Sequence, residues 1–184
     1  MSHVCPIWIG YLLLCPFRGF AHDPAKILGP HVREGMTVLD VGCAMGFFSL
    51  PLARMVGPSG TVLCVDIQPK MLSRLEKRAG KAGLSDRLRP VLASEQGLGL
   101  QGWEGAADFA LAFAMLHEVP DPDRLLREIH LTLKPGAPLL VAEPIFHVRA
   151  RAFEATLTHA RDAGFLLSGR PRVPRSHAAL LNKP

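Results

Sequence analysis

Short, almost wholly apolar runs alternate along this chain with longer stretches whose apolar residues recur every three or four positions. TVLDV (37–41), TVLCVD (61–66), DFALAF (108–113) and APLLVAE (137–143) read as buried strands. A further strand is expected around Leu88–Leu92, and a last one at SHAALLN (176–182). Between them, FFSLPLARMV (47–56) is apolar nearly all round, as suits a helix packed between a sheet and its neighbours. PKMLSRLEKRAGKAG (69–83) places Met71, Leu72, Leu75 and Ala79 on one helical face and its charges on the other. DPDRLLREIHLTL (121–133) opens with Asp121 as N-cap and Pro122 at the first helical position. Leu125, Leu126, Ile129 and Leu133 form its buried stripe, and Lys134-Pro135-Gly136 ends it. AFEATLTHARDAGF (152–165) is the last expected helix. Strand and helix in alternation predict an α/β fold, a doubly wound, mostly parallel sheet with helices on both faces. In such sheets ligands bind outside the carboxyl ends of the strands, so the residues that follow each strand carry the functional information.

The first thirty residues do not fit this alternation. IWIGYLLLC (7–15) is too short to span a bilayer. No Lys or Arg precedes it and no small-x-small site follows, so it does not read as a signal peptide. Pro6 and Pro16 bracket it like a short helix. Trp8, Tyr11, Phe17 and Phe20 cluster there. The expectation is one domain over 1–184, with 31–184 as core and 1–30 as an apolar lid, a core helix or a homodimer surface.

Composition narrows the classes. Apolar residues make up 48% and charged residues 20%, so the chain is expected to fold. The net charge of +5 suits nucleic acid or an anionic ligand, but the arginines scatter and no lysine-rich block occurs. A mildly basic globular protein is the better reading. Cys5, Cys15, Cys43 and Cys64 show no CxxC spacing, which excludes a zinc ribbon and a thioredoxin-like site. His3, Cys5 and Cys15 lack ligand spacing, so no metal is expected. Cys43 and Cys64 read as small buried thiols, and cysteine usage points to the cytoplasm.

The chemistry starts at VLDVGCAMGFF (38–48), a strand, a loop of small residues and a helix. Small residues let the backbone approach a ligand. Asp66 follows twenty positions after Gly46, at the end of the second strand, where a carboxylate can accept both hydroxyls of a ribose. A dinucleotide loop wants G-x-G-x-x-G. Here Ala44 stands at the second position and Phe47 at the third, so a pyrophosphate is disfavoured. No Walker lysine follows either.

Taken together, VLDVGCAMG, VDIQPKML and FALAFAMLHEVPDPDRLLREIHLTLKPGAPLLVAEP resemble the class I S-adenosylmethionine-dependent methyltransferases over roughly residues 30–165. The resemblance is strongest to the small-molecule branch that includes the ubiquinone/menaquinone and arsenite enzymes. It implies a Rossmann-like methyltransferase fold with an antiparallel last strand, and S-adenosylmethionine as cofactor. It further implies that Asp40 orients the loop and the methionine ammonium, and that Gly42, Ala44 and Gly46 line the methionine and ribose. Asp66 would hold the ribose hydroxyls and Ile67 would pack on the adenine. The family often has an aspartate after the third strand; here Ser94, with Glu95 beside it, takes that place, and a serine accepts a weaker hydrogen bond than a carboxylate. Ala112 and Phe113 would approach the cofactor from the fourth strand.

Methyl transfer needs alignment first and a base only when the acceptor carries a proton. His117 and Glu118 are the catalytic candidates, with Glu143 and His147 nearby in order along the chain; Glu143-Pro144 reads mainly as a strand exit. No NPPY-like tetrad follows the fourth strand, so adenine N-methylation is disfavoured. The expected function is methyl transfer to a small-molecule acceptor. A cofactor-binding sensor or subunit is the alternative, and an RNA methyltransferase ranks third.

Overall fold

The computed structural model describes residues 22–184. The expectations for the N-terminal aromatic segment, Cys5 and Cys15 lie outside the described residues.

Each predicted strand forms, and those at 37–41, 61–66, 109–113 and 138–144 follow runs buried on both faces. The strands are β1 (Thr37–Val41), β2 (Thr61–Asp66), β3 (Leu88–Leu92), β4 (Phe109–Phe113), β5 (Pro138–Pro144), β6 (Leu166–Gly169) and β7 (Ser176–Asn182). The helices are α1 (Pro24–Leu28), α2 (Ser49–Met55), α3 (Pro69–Ala82), α4 (Pro122–Thr132) and α5 (Ala150–Asp162). One sheet takes all seven strands in the order β3-β2-β1-β4-β5-β7-β6. The five strands from β3 to β5 pair in parallel, while β7 runs antiparallel to β5 and to β6. The order reverses between β1 and β4, which places a crevice at the carboxyl ends of those two strands.

Alternate residues of each strand face opposite layers, and the core divides accordingly. Val38, Val62, Cys64, Phe109 and Leu111 pack under α1, α2 and α3. Leu39, Val41, Leu63, Val65 and Ala110 face α4 and α5. No helix crosses between β3 and β4. Leu98 and Leu100 of the connecting loop cover the sheet there instead.

Two expectations about helices are refined. α2 begins at Ser49 because Phe47 and Phe48 sit in the preceding turn, ring against ring at 4.9 Å. In α4, Leu126 and Ile129 are fully buried, but Leu125 is half-buried and turns toward a cavity. The Asp121 cap forms as expected, its carboxylate accepting from the Arg124 amide at 3.0 Å. Such a cap contributes about 1 kcal/mol.

Candidate functional site

A cavity of about 690 Å³ opens at the carboxyl ends of β1, β2 and β4. Gly42, Ala44, Asp66, Ile67, Ser94, Glu95 and Glu118 are among its walls, so seven of the sequence-derived site residues meet in one place. Asp40, Gly46, Ala112, Phe113 and His117 are not among its lining residues.

The β1–α2 loop is built around Asp66. One carboxylate oxygen accepts from the Ala44 amide at 2.9 Å, and the other from the Gln68 amide at 2.8 Å. Both oxygens are thus fixed in direction while each keeps a lone pair for a further donor. Burial raises the Asp66 carboxyl above its ordinary pKa, and the amides of Gln68, Ala44 and Ile67 oppose that rise. The Gly42 and Cys43 amides both reach the Val65 carbonyl, at 2.9 and 3.0 Å, and the Gly46 amide reaches Cys43 at 2.9 Å. With Ala44 spent on Asp66, these four loop amides are engaged inside the protein. They do not form an outward cradle for a phosphate, which agrees with the missing dinucleotide glycines.

Two glycines here are needed for space as well as conformation. Gly42 has φ +72°, and a Cβ on it would lie 2.9 Å from Met115 Cβ and Cγ. Gly46 has φ +82°, and a Cβ there would meet Leu75 Cδ1 at 2.3 Å, so this residue seats α3 under the loop. Ala44 holds φ +47° without being glycine. The left-handed conformation costs an alanine roughly 1 kcal/mol, so Ala44→Gly is expected to stabilise the protein by about 0.5 kcal/mol after the extra chain entropy of glycine. Chemical denaturation reads this directly; a loss of stability would show that the Ala44 methyl packs favourably.

Asp40 is buried behind the loop and accepts from Ser49 Oγ at 2.6 Å, which ties β1 to the start of α2. Ala112 and Phe113 lie in the core, Phe113 against Phe48 at 4.6 Å and the edge of His22 at 5.0 Å. The next residues, Ala114 and Met115, supply the wall instead, Ala114 in a left-handed turn at φ +56°.

Ser94 and Glu95 are exposed on a tight turn. Ser94 and Gly97 exchange backbone bonds of 2.9 and 3.2 Å, and Ser94 Oγ accepts from the Gln96 amide at 3.1 Å. α4 pins this turn: Arg124 donates to the Glu95 carbonyl, and Glu128 accepts from the Leu98 amide at 2.6 Å. Neither Arg124 nor Glu128 stands out in the sequence, since both occupy the polar face of an amphipathic helix.

Behind Glu118 lies a second polar group. Glu143, 1% exposed, accepts from the Leu116 amide at 2.8 Å and faces His117 Nδ1 at 2.5 Å. His117 Nε2 stands 3.9 Å from Glu118 Oε1, and its ring stacks with His147 at 6.1 Å. The hydrogen bond to Glu143 raises the His117 pKa, with burial opposing it and both glutamates adding to the rise. A buried acid closing an otherwise apolar strand was the available signal for Glu143, and it reads equally as a strand exit.

The donor set fits S-adenosylmethionine: a fixed carboxylate with spare lone pairs for a vicinal diol, apolar walls from Ile67, Met71 and Leu98 for a planar base, and no phosphate cradle. A methyltransferase-domain profile matches residues 32–164. The chain is 31% identical over 131 residues to the ubiquinone/menaquinone biosynthesis C-methyltransferase UbiE of Escherichia coli, covering 70% of this chain and 51% of that protein. It therefore spans about half the length of the curated relatives it matches. A SAM-dependent methyltransferase from Aquifex aeolicus superimposes with a TM-score of 0.85 at 26% identity, over 97% of this chain and 98% of that one. The [4+2]-cyclase SpnF superimposes at 0.70 and 26% identity, over 82% and 60%. Profile, relatives and fold agree with the cavity: the chain belongs to the class I S-adenosylmethionine-dependent methyltransferase family.

Proposed function

We propose that this protein transfers a methyl group from S-adenosylmethionine to a small-molecule acceptor. The observation that carries the reading is Asp66, whose two oxygens are oriented by the Ala44 and Gln68 amides in the wall of the cavity. In this reading Asp66 accepts from the ribose hydroxyls, and Ile67 packs on the adenine. Gly42 and Ala44 line the methionine side. Asp40, through Ser49, holds the loop in place. Ser94 and Glu95 border the adenine end on a turn fixed by Arg124 and Glu128.

S-adenosylmethionine, when bound, supplies a sulfonium methyl already activated for displacement. The side chains have to align the acceptor, exclude water and, for a protonated acceptor, remove a proton. Glu143 holds the Nδ1–H of His117, which leaves Nε2 as the basic nitrogen. A proton arriving at Nε2 is stabilised by Glu143 on one side and Glu118 on the other. A small apolar acceptor suits the largely apolar walls, and UbiE, by its name a quinone-biosynthesis enzyme, is a relative of that kind.

The likeness to a [4+2]-cyclase supports a second reading, in which the cofactor is held without methyl transfer. Calorimetry with S-adenosylmethionine and its demethylated product is expected to give binding with both, and absence of heat from either overturns both readings. Transfer of a labelled methyl group to a panel of phenolic, thiol and amine acceptors then separates them, since the cofactor-holding reading gives none.

A further inference from the structure

We propose that the surface formed by the β5–α5 and β6–β7 loops docks on an anionic membrane. Phe146 is 76% exposed and Ile145 45% exposed, side by side at the carboxyl end of β5. Large apolar side chains with this exposure normally mark a contact surface when charge of one sign surrounds them. Here the exposed charges on the two loops and the first turn of α5 are positive. Arg149, Arg151, Arg172 and Arg175 are all exposed, and none is in an ion pair among the described residues.

The two loops form one patch. The Ile145 amide donates to the Arg175 carbonyl at 3.1 Å. Arg170, at the start of the second loop, bonds Glu154 in the second turn of α5 at 2.8 Å. That pair matters for the field. Glu154 and Asp162 are the acidic residues between 145 and 175, and Glu154 is already neutralised by Arg170. The patch therefore keeps the charge of its other arginines, and exposed basic residues of this kind are drawn to an anionic bilayer.

The first described residue sits at this same patch. His22 Nε2 is bonded to the Pro174 carbonyl at 2.9 Å, between Arg172 and Arg175. Residues 1–21 contain no aspartate or glutamate, and they carry Arg18 and the apolar run IWIGYLLLC. This composition includes no acidic charge that would oppose an anionic surface. RNA would use the arginines and could stack on Phe146, but it has no use for the exposed isoleucine beside it. A bilayer interface uses both features.

The patch lies at the carboxyl ends of the strands, the same edge of the sheet as the cavity. Docking would thus bring the site next to a lipid-dissolved acceptor. That delivery role rests on the proposed methyl transfer; the docking itself does not, and it is measured without any acceptor.

The test is co-sedimentation of the full chain with phosphatidylcholine vesicles, with and without 30 mol% phosphatidylglycerol, at about 50 and 300 mM salt. The expected result is binding to the anionic vesicles that weakens at high salt, with little to the neutral ones. R149Q/R151Q/R172Q/R175Q is expected to reduce partitioning at least tenfold, and Phe146→Ser severalfold. Melting temperature and S-adenosylmethionine calorimetry check that each variant is folded, and Phe146→Ser alone carries the test if the quadruple variant is not. No binding to anionic vesicles, equal binding by the folded variants, or tighter binding to a single-stranded RNA homopolymer than to the vesicles would overturn the proposal. Loss of cofactor binding in the wild type would defeat the functional reading and leave the docking result standing.

Discussion

Asp66→Asn is expected to weaken S-adenosylmethionine binding about a hundredfold. The substitution keeps the shape and removes the charge. Two charge-assisted hydrogen bonds to a diol would each lose about 1.5 kcal/mol, and about 3 kcal/mol is roughly two decades in affinity. The local geometry adds to the effect. Both carboxylate oxygens already accept backbone N–H bonds, from Ala44 and Gln68. An asparagine must turn its NH2 toward one of those donors, so the loop loosens as well. Isothermal calorimetry on the folded variant measures the change, and an affinity within threefold of wild type would remove Asp66 from the site.

The pH dependence has a definite sign. Burial raises the Asp66 pKa in the free protein, whereas hydroxyl donors favour the ionised form. Affinity should therefore fall on acidification, starting at a higher pH than an ordinary aspartate would give, and Asp66→Asn should be flat over that range. In the free protein the linkage runs the other way: a carboxyl with a raised folded pKa contributes less stability as pH rises through that value.

Glu143→Gln is expected to lower methyl transfer to a protonated acceptor at least a hundredfold while leaving cofactor affinity within about threefold. The amide oxygen can still accept from Leu116, which turns its NH2 toward His117 Nδ1. The ring must then accept at Nδ1 and carry its proton on Nε2, the nitrogen proposed to receive one. A wrong tautomer disables a base without moving it. Removing the buried charge also costs about 1–2 kcal/mol of stability. Its pH signature is separate. The raised His117 pKa gives wild type a stabilising contribution that is full below the unfolded histidine value, about 6.5, and is lost as pH rises through the folded one. Denaturation midpoints from pH 6 to 9 should show that decline in wild type and not in Glu143→Gln. Unchanged turnover in the variant would confine Glu143 to holding the loop.

The sheet was legible where burial is complete. β1, β2, β4 and β5 are apolar on both faces because helices cover both, and such runs stand out in a sequence. β6 was not legible. Its Leu166 and Leu167 are more than half exposed, so LLSG shows no alternation, and its existence depends on pairing with β7 alone. α1 has five residues, too few to display a helical period. The ribose carboxylate was readable because Asp66 ends a strand one crossover after the glycine loop. The partnership of His117 with Glu143 was not, because it joins residues 26 apart across neighbouring strands, and periodicity carries no information about which buried acid turns toward which loop. The same holds for Arg124 and Glu128, whose contacts to the 95–98 turn are made 29 and 30 residues away.

The placement of β7 between β5 and β6 bears on the order of assembly. During synthesis β6 leaves the ribosome first, yet it has no strand to pair with until β7 follows. Until then β5 presents an open row of amides and carbonyls along Leu139–Glu143, among the most apolar segments of the chain. A nascent chain stalled before residue 176 would hold its cofactor loop, β1 and β4 in place while exposing an aggregation-prone edge. β7 is thus the strand that covers the β5 edge, and chaperone dependence should be concentrated in the interval between the synthesis of β5 and of β7.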